Sequence, residues 1–170
     1  GAGYNASPIS YFSFNGTGNY VSLGQPLPNG SSFSFEAWIY PTTVSGSRNI
    51  ISSNETPFWI SNGTLSAGVD SNYSVVTTAI TANSWYHVVA TFDDASDTMT
   101  LYVNNVQASQ NTSVTGTFHQ QTLRIGAHEW AGNPASFFDG YIAEARVYDA
   151  ALSAAEVQSN FDQTKAKYGL

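Results

Sequence analysis

The chain has no cysteine, one methionine and only five Lys plus Arg in 170 residues. Without cysteine there are no disulfides and no thiolate metal sites, and the redox compartment is left open. Five cations against twelve acids give a formal net charge of −7. Phosphate backbones are gripped by clustered Lys and Arg, so nucleic acid is not expected as a partner. An anionic membrane surface is disfavoured for the same reason. No apolar run approaches the ~20 residues that cross a bilayer, so membrane insertion is not expected either. No signal peptide is visible, and Gly1-Ala2-Gly3 reads as a cut site or a cloning scar. Charge is scarce altogether, at 10 % of residues against a usual ~25 %.

Ser, Thr, Asn and Gly fill that gap, while aromatics reach 14 %. So many aromatic and β-branched residues argue against disorder. Alternating apolar and polar segments recur at 10–14, 20–23, 33–40, 49–53, 58–61, 65–69, 75–80, 85–92, 99–103, 106–108, 123–126 and 141–148, each closed by turn residues. Asn62-Gly63 between two of them is a strong hairpin signal. About a dozen short strands with frequent turns predict an all-β fold. The expectation is one antiparallel β-sandwich jelly roll of two sheets, a single domain over residues 1–170. One short C-terminal helix is expected, because Ser153 and Glu156 form a capping-box pair. Val157, Phe161 and Tyr168 fall on one face of it, and it should lie against an end of the sandwich.

Asn-X-Ser/Thr occurs at Asn5, Asn15, Asn29, Asn54, Asn62, Asn72 and Asn111. Chance in this composition gives about three such sites. Either an Asn/Ser/Thr-rich chain makes them in its turns, or the surface is glycosylated. Both readings suit an extracellular or cell-surface protein.

Five motifs in register carry a family resemblance. SFEAWIY (34–40) resembles the early strand of the laminin-G/pentraxin-like, concanavalin A-type jelly rolls. GYIAEARVYDAALS (140–153) is similar to their closing strand, and SWYHVVA (84–90) with LYVN (101–104) to their central hairpin. YFSFNG (11–16) followed by Tyr20-Val21 is similar to their opening. The resemblance covers roughly 10–165 and implies the jelly-roll fold. It leaves function open, because this fold hosts enzymes, lectins and spacers.

Relatives that cleave β-glucans carry Glu-x-Asp-x-x-Glu, which places two carboxyls on one strand face. The chain has five Glu (Glu36, Glu55, Glu129, Glu144, Glu156), none in that pattern, and no catalysis is expected. Glu36 reads as a structural or surface residue. The resemblance also implies a structural calcium held by an Asp of the closing strand, but that position is Ala143. Asp139, with the carbonyls of Asn15 and Gly16, is the substitute metal set, so calcium is carried as an open cofactor. The turn 93–97 reads as a polar hairpin tip, and His87, His119 and His128 are too scattered for a zinc triad.

Trp38 and Trp85 lie in the family motifs and read as core. Trp59, flanked by Phe58 and Ile60, faces out if its neighbours face in, because successive strand side chains alternate. The opposite facing would bury it. The stretch AHEWAGNPAS (127–136) reads as a loop carrying Trp130 among His128, Glu129 and Asn133. A flat aromatic beside hydrogen-bonding groups suits a sugar ring, which has an apolar C–H face and a hydroxyl rim. The alternative makes Trp130 a lid on the core. Tyr73 is a further candidate. The expected function is non-catalytic carbohydrate binding by Trp59, Tyr73, His128, Glu129, Trp130 and Asn133, toward a polysaccharide or glycan, neutral rather than acidic. The domain would then belong to a larger multidomain protein. The alternative is an adhesion or surface-assembly domain that contacts protein.

Overall fold

The structure is a computed structural model that describes residues 3–5 and 9–170. The sequon that starts at Asn5 therefore lies partly outside the described residues. In chain order the strands are β1 (Gly3–Asn5), β2 (Tyr11–Asn15), β3 (Val21–Gly24), β4 (Phe33–Pro41), β5 (Ser47–Ser52), β6 (Pro57–Ser61), β7 (Thr64–Val69) and β8 (Asn72–Ala79). There follow β9 (Tyr86–Asp93), β10 (Thr98–Val103), β11 (Val106–Asn111), β12 (Leu123–Ile125), β13 (His128–Trp130), β14 (Asn133–Ala135) and β15 (Asp139–Tyr148), then helix α1 (Ala154–Thr164). A seven-stranded sheet runs β1-β2-β15-β4-β9-β10-β11, and a six-stranded sheet runs β3-β12-β5-β6-β7-β8. All strand pairs are antiparallel. The β-sandwich with one C-terminal helix is as the sequence pattern predicts.

Strand periodicity explains the core. In β4, Phe33, Phe35, Ala37 and Ile39 face the six-stranded sheet, meeting Phe58, Ile60, Leu65 and Val69 in the main apolar cluster. The intervening residues of β4 are buried too, because α1 lies across the outer face of the seven-stranded sheet rather than at an end of the sandwich. Ser34 Oγ donates to Ala150 O (2.8 Å) and accepts from the Leu152 amide (2.8 Å). Glu36 Oε2 accepts from Asn160 Nδ2 (2.9 Å), and Trp38 Nε1 donates to Thr164 Oγ1 (2.9 Å). Three successive even positions of one strand thus hold the C-terminal segment. Trp38 also stacks on Tyr168, ring centroids 4.0 Å apart. Trp38 is therefore core, but core of the helix-covered face. Trp85 is only half-buried beside it. Ala143 packs in the same cluster as Trp38 and Tyr168, so the position where relatives carry Asp is here an apolar contact.

Glu36 is fully buried, not a surface residue. Its Oε1 accepts from His87 Nε2 (2.8 Å) and Arg146 Nη1 (2.8 Å), and its Oε2 from the Tyr148 hydroxyl (2.7 Å) as well as Asn160. Burial pushes its pKa up. The bonds from His87 and Tyr148 and the charge of Arg146 outweigh that and hold it below the ordinary 4.5. Burial and the Glu36 carboxylate push the Tyr148 hydroxyl up to about 12.

Turns follow the sequence signals. Asn62-Gly63 and Asn104-Asn105 both take positive φ and close two-residue hairpins. Four of the sequon asparagines use Oδ1 to accept backbone N–H groups: Asn15 from Thr17, Asn29 from Gln120, Asn62 from Gly46 and Asn111 from Ser113. The bonds of Asn15 and Asn111 are local turn contacts, while those of Asn29 and Asn62 reach across the fold.

Glu36→Ala should cost about 3 kcal/mol, because it strands a guanidinium and three other polar groups under the helix. Urea denaturation at neutral pH measures this. A carboxylate whose folded pKa is depressed contributes stability above its ordinary value and loses it as pH falls. The wild-type Tm should therefore drop as pH falls below 4.5, and this acid limb should be shallower in Glu36→Gln.

Candidate functional site

α1 covers part of the outer face of the seven-stranded sheet, and the outer face of the six-stranded sheet carries the candidate site. On β6, Phe58 and Ile60 join the core, so Trp59 faces outward, half-exposed. Its Nε1 donates to Tyr73 O on β8 (2.9 Å), which fixes the indole plane. β8 approaches closely here because residue 68 on β7 is glycine: a Cβ there would collide with Asn72 O.

The 127–136 stretch is not a loop. It forms a separate two-stranded ribbon, β13–β14, closed by Ala131 (φ 49°) and Gly132 (φ 81°). His128 pairs with Ala135 and Trp130 with Asn133. The ribbon is fastened to β5 by Asn49, 2 % exposed. Both the backbone N–H of Asn49 (3.0 Å) and its Nδ2 (3.1 Å) donate to Ser136 O. Nδ2 also donates to His128 Nδ1 (3.2 Å), and Oδ1 accepts from Ser52 Oγ (2.8 Å). Ser52 Oγ in turn accepts from the Phe58 amide (3.1 Å).

Ribbon and sheet enclose a groove of about 400 Å³, within the usual range for a small-ligand site. Trp59, Tyr73, His128 and Trp130 all line it, together with Ser47, Asn49, Pro57, Ala135 and Ser136. Trp130 is 63 % exposed and Tyr73 39 %; the reading of Trp130 as a lid on the core is not what the fold shows. Glu129 and Asn133 do not line the groove. Alternation along β13 turns Glu129 to the other side, where it pairs with Arg124 Nη2 (2.7 Å). Asn133 is exposed, its Nδ2 on Ala131 O (3.2 Å).

His128 is the only titratable imidazole of the lining. Burial holds its pKa below the ordinary 6.5, the Ala135 carbonyl opposes this, and the Arg124 charge adds to the lowering. The bond from Asn49 assigns the acceptor lone pair to Nδ1. No Asp or Glu lines the groove, so it offers no carboxylate pair for glycoside hydrolysis. It offers aromatic faces, hydroxyls and one amide.

The Asn15, Gly16 and Asp139 set comes together at the β2–β15 pair, but its donors are engaged. Asn15 Oδ1 accepts three backbone N–H groups, and Asp139 Oδ1 accepts from Thr42 Oγ1 (2.8 Å). The Arg48 guanidinium reaches Gly16 O (3.5 Å) and Phe137 O (3.2 Å). A group with one carboxylate and a guanidinium beside the Gly16 carbonyl does not fit calcium, which takes six to eight oxygens. Elsewhere, Glu55, Asp70 and His119 bring ligand atoms within 4.8 Å of one another and could hold an ion. His119 is already paired with Asp70 (3.2 Å).

A family model described as the concanavalin A-like lectin/glucanases superfamily matches residues 15–158. The chain belongs to this superfamily. Among solved structures it is similar to a heptameric pentraxin from Limulus polyphemus, with 20 % identity, 85 % of this chain and 78 % of that one covered, and a TM-score of 0.69. It is similar to a putative carbohydrate-binding protein from Bacteroides ovatus, with 22 % identity, coverage of 86 % and 45 %, and a TM-score of 0.73. It is also similar to domain 4 of the extracellular arabinanase AbnA from Geobacillus stearothermophilus, solved with arabinotriose, with 19 % identity, coverage of 94 % and 80 %, and a TM-score of 0.69. The chain spans less than half of the Bacteroides protein, and likeness at these identities establishes the fold. No curated protein matches the chain.

Asn49 carries the ribbon and escaped the sequence reading. Its signal was an amide inside a β-branched run, where Asn is depleted unless it has a structural task. Asn49→Ala should raise the titration midpoint of His128, because it removes a donor that favours the neutral ring. Proton NMR of the imidazole follows this; an unchanged midpoint would mean that Asn49 does not hold the ring.

Proposed function

We propose that the domain is a non-catalytic carbohydrate-binding module whose site is the groove between β5, β6, β8 and the β13–β14 ribbon. The observation that carries this reading is the placement of Trp59 and Trp130 on one groove, the first fixed by its indole bond and the second exposed. Exposing a Trp in an otherwise polar surface is unfavourable without a partner that covers it. Sugar C–H faces stack on such rings, and the hydroxyls of Ser47 and Tyr73 and the His128 ring supply polar contacts at the rim. Trp59, Tyr73, His128 and Trp130 are the proposed contacts. Glu129 and Asn133 lie outside the groove.

The lining has no charged side chain apart from the imidazole, and the chain is acidic. This favours a neutral polysaccharide or glycan. The sequons support an extracellular or cell-surface setting, as part of a larger protein in which several weak sites add up. An adhesion domain would instead present a broad apolar patch or an unpaired strand edge to protein. The fixed, grooved aromatic pair favours sugar.

Tryptophan fluorescence titrated with soluble polysaccharides should give a saturable change. Trp130→Ala should weaken binding by about 2 kcal/mol, the scale of an interface hot spot. Its folding stability should stay within about 0.5 kcal/mol of wild type, as for an exposed residue. A response that survives Trp130→Ala unchanged would remove the groove from the site.

A further inference from the structure

The ribbon has a second side. Beyond Glu129 lies a pocket of about 320 Å³ lined by Gln25, Asn54, Gln120, Gln121, Thr122 and Glu129. The groove on the first side is aromatic; this lining is four primary amides, a hydroxyl and a carboxylate. The amides come from three distant parts of the chain, brought together where the 112–122 segment runs back into β12. Gln121 Oε1 accepts from the Glu55 amide (3.2 Å), so that side chain is fixed with its Nε2 donor available. Among the described residues, no side-chain hydrogen bond holds the amides of Gln25, Asn54 or Gln120. Glu129 has one oxygen on Arg124 and the other without a protein partner. Arg124 is itself 12 % exposed at its side chain, and its Nε and Nη1 are buried with no acceptor among the described residues. Buried donors are almost always answered.

We propose that this pocket is a second saccharide site, independent of the aromatic groove, for a neutral, hydroxyl-rich ligand. A primary amide presents a donor and an acceptor in one plane, and two neighbouring sugar hydroxyls present the complement. Four such amides around one depression match a polyol better than any apolar ligand, which would leave them desolvated without partners. An anionic sugar would meet the Glu129 carboxylate, the one charged side chain of the lining. Because His128 and Trp130 face one side of β13 and Glu129 the other, the ribbon separates a stacking site from a hydrogen-bonding site. One domain then holds two points of a polysaccharide network, and the sites multiply each other's affinity when both engage.

The test is NMR on the ¹⁵N-labelled full chain, made without glycosylation because Asn54 opens a sequon. The probes are xylohexaose, cellohexaose, mannohexaose and arabinohexaose, with hexagalacturonate as the acidic control. The expected result is a saturable shift of the side-chain NH₂ pairs of Gln25, Asn54 and Gln120 with a neutral probe. That shift should persist in Trp130→Ala. It should need about tenfold more sugar, a loss of about one hydrogen bond's worth of affinity, in Gln120→Ala and in Gln25→Ala. Both residues are exposed, so their backbone spectra should remain native. The proposal is overturned by no side-chain shift with any neutral probe, by shifts with hexagalacturonate alone, or by shifts that disappear in Trp130→Ala. A silent groove with a responding pocket would sink the groove reading and leave this one standing.

Discussion

A carboxylate cut off from water must have its lone pairs answered by protein, and Glu36 has all of its partners under one helix. His87 comes from β9, Arg146 and Tyr148 from β15, and Asn160 from α1. The network therefore ties the two strands that flank β4 to the C-terminal segment. Removing any one partner leaves charge or a donor exposed to an apolar interior, which is why such a cluster tolerates little change. The bulge on β15, where Glu144 takes φ 50°, adds a second anchor: Glu144 holds Arg146 (2.7 Å), Lys167 (2.9 Å) and the Tyr168 hydroxyl (3.1 Å). The middle of the outer face of the seven-stranded sheet, over β4 and its neighbours, is thereby covered.

The consequence reaches the opposite sheet. A sandwich with one face covered has one broad face left, and here a three-residue strand is folded above it. The period of two along β13 then does the sorting: His128 and Trp130 go to the groove and Glu129 to the amide pocket. Asn49 fixes the ribbon's distance from β5 through Ser136, while Trp59 is fixed from the other direction through Tyr73. Groove shape is thus set by two hydrogen-bonded points rather than by loop conformation, which favours preorganised binding.

Much of this was legible in the sequence because it rests on local periodicity. Alternation gave β4, β9 and β15, the paired Asn and Gly residues gave the hairpin turns, and Ser153 with Glu156 gave the start of α1. Alternation left two facings for Trp59, and the burial of Phe58 and Ile60 selects the outward one. Two things were not legible. The ribbon is not visible as strands, since three-residue strands are too short to show a period, and a loop over 127–136 does not separate Glu129 and Asn133 from the groove residues. The position of α1 is not legible because an ordinary alternating strand is half polar. That Ser34, Glu36 and Trp38 answer one helix depends on contacts more than a hundred residues apart. Gln25, Asn54 and Gln120 are likewise unremarkable polar residues until folding gathers them.

The scarcity of cations acquires a structural meaning once each is placed. Arg48 lies on the carbonyls of Ser45, Gly16 and Phe137. Arg124 holds Glu129, and Arg146 holds Glu36 and Glu144. Lys165 pairs with Asp162, and Lys167 with Glu144. These are all five Lys and Arg of the chain, and each is engaged within the fold. Recognition of a phosphate, sulfate or uronate would have to break one of these contacts and overcome a net charge of −7. A neutral sugar meets neither obstacle. It asks for aromatic faces, amides and hydroxyls, which are the groups that the ribbon displays on its two sides.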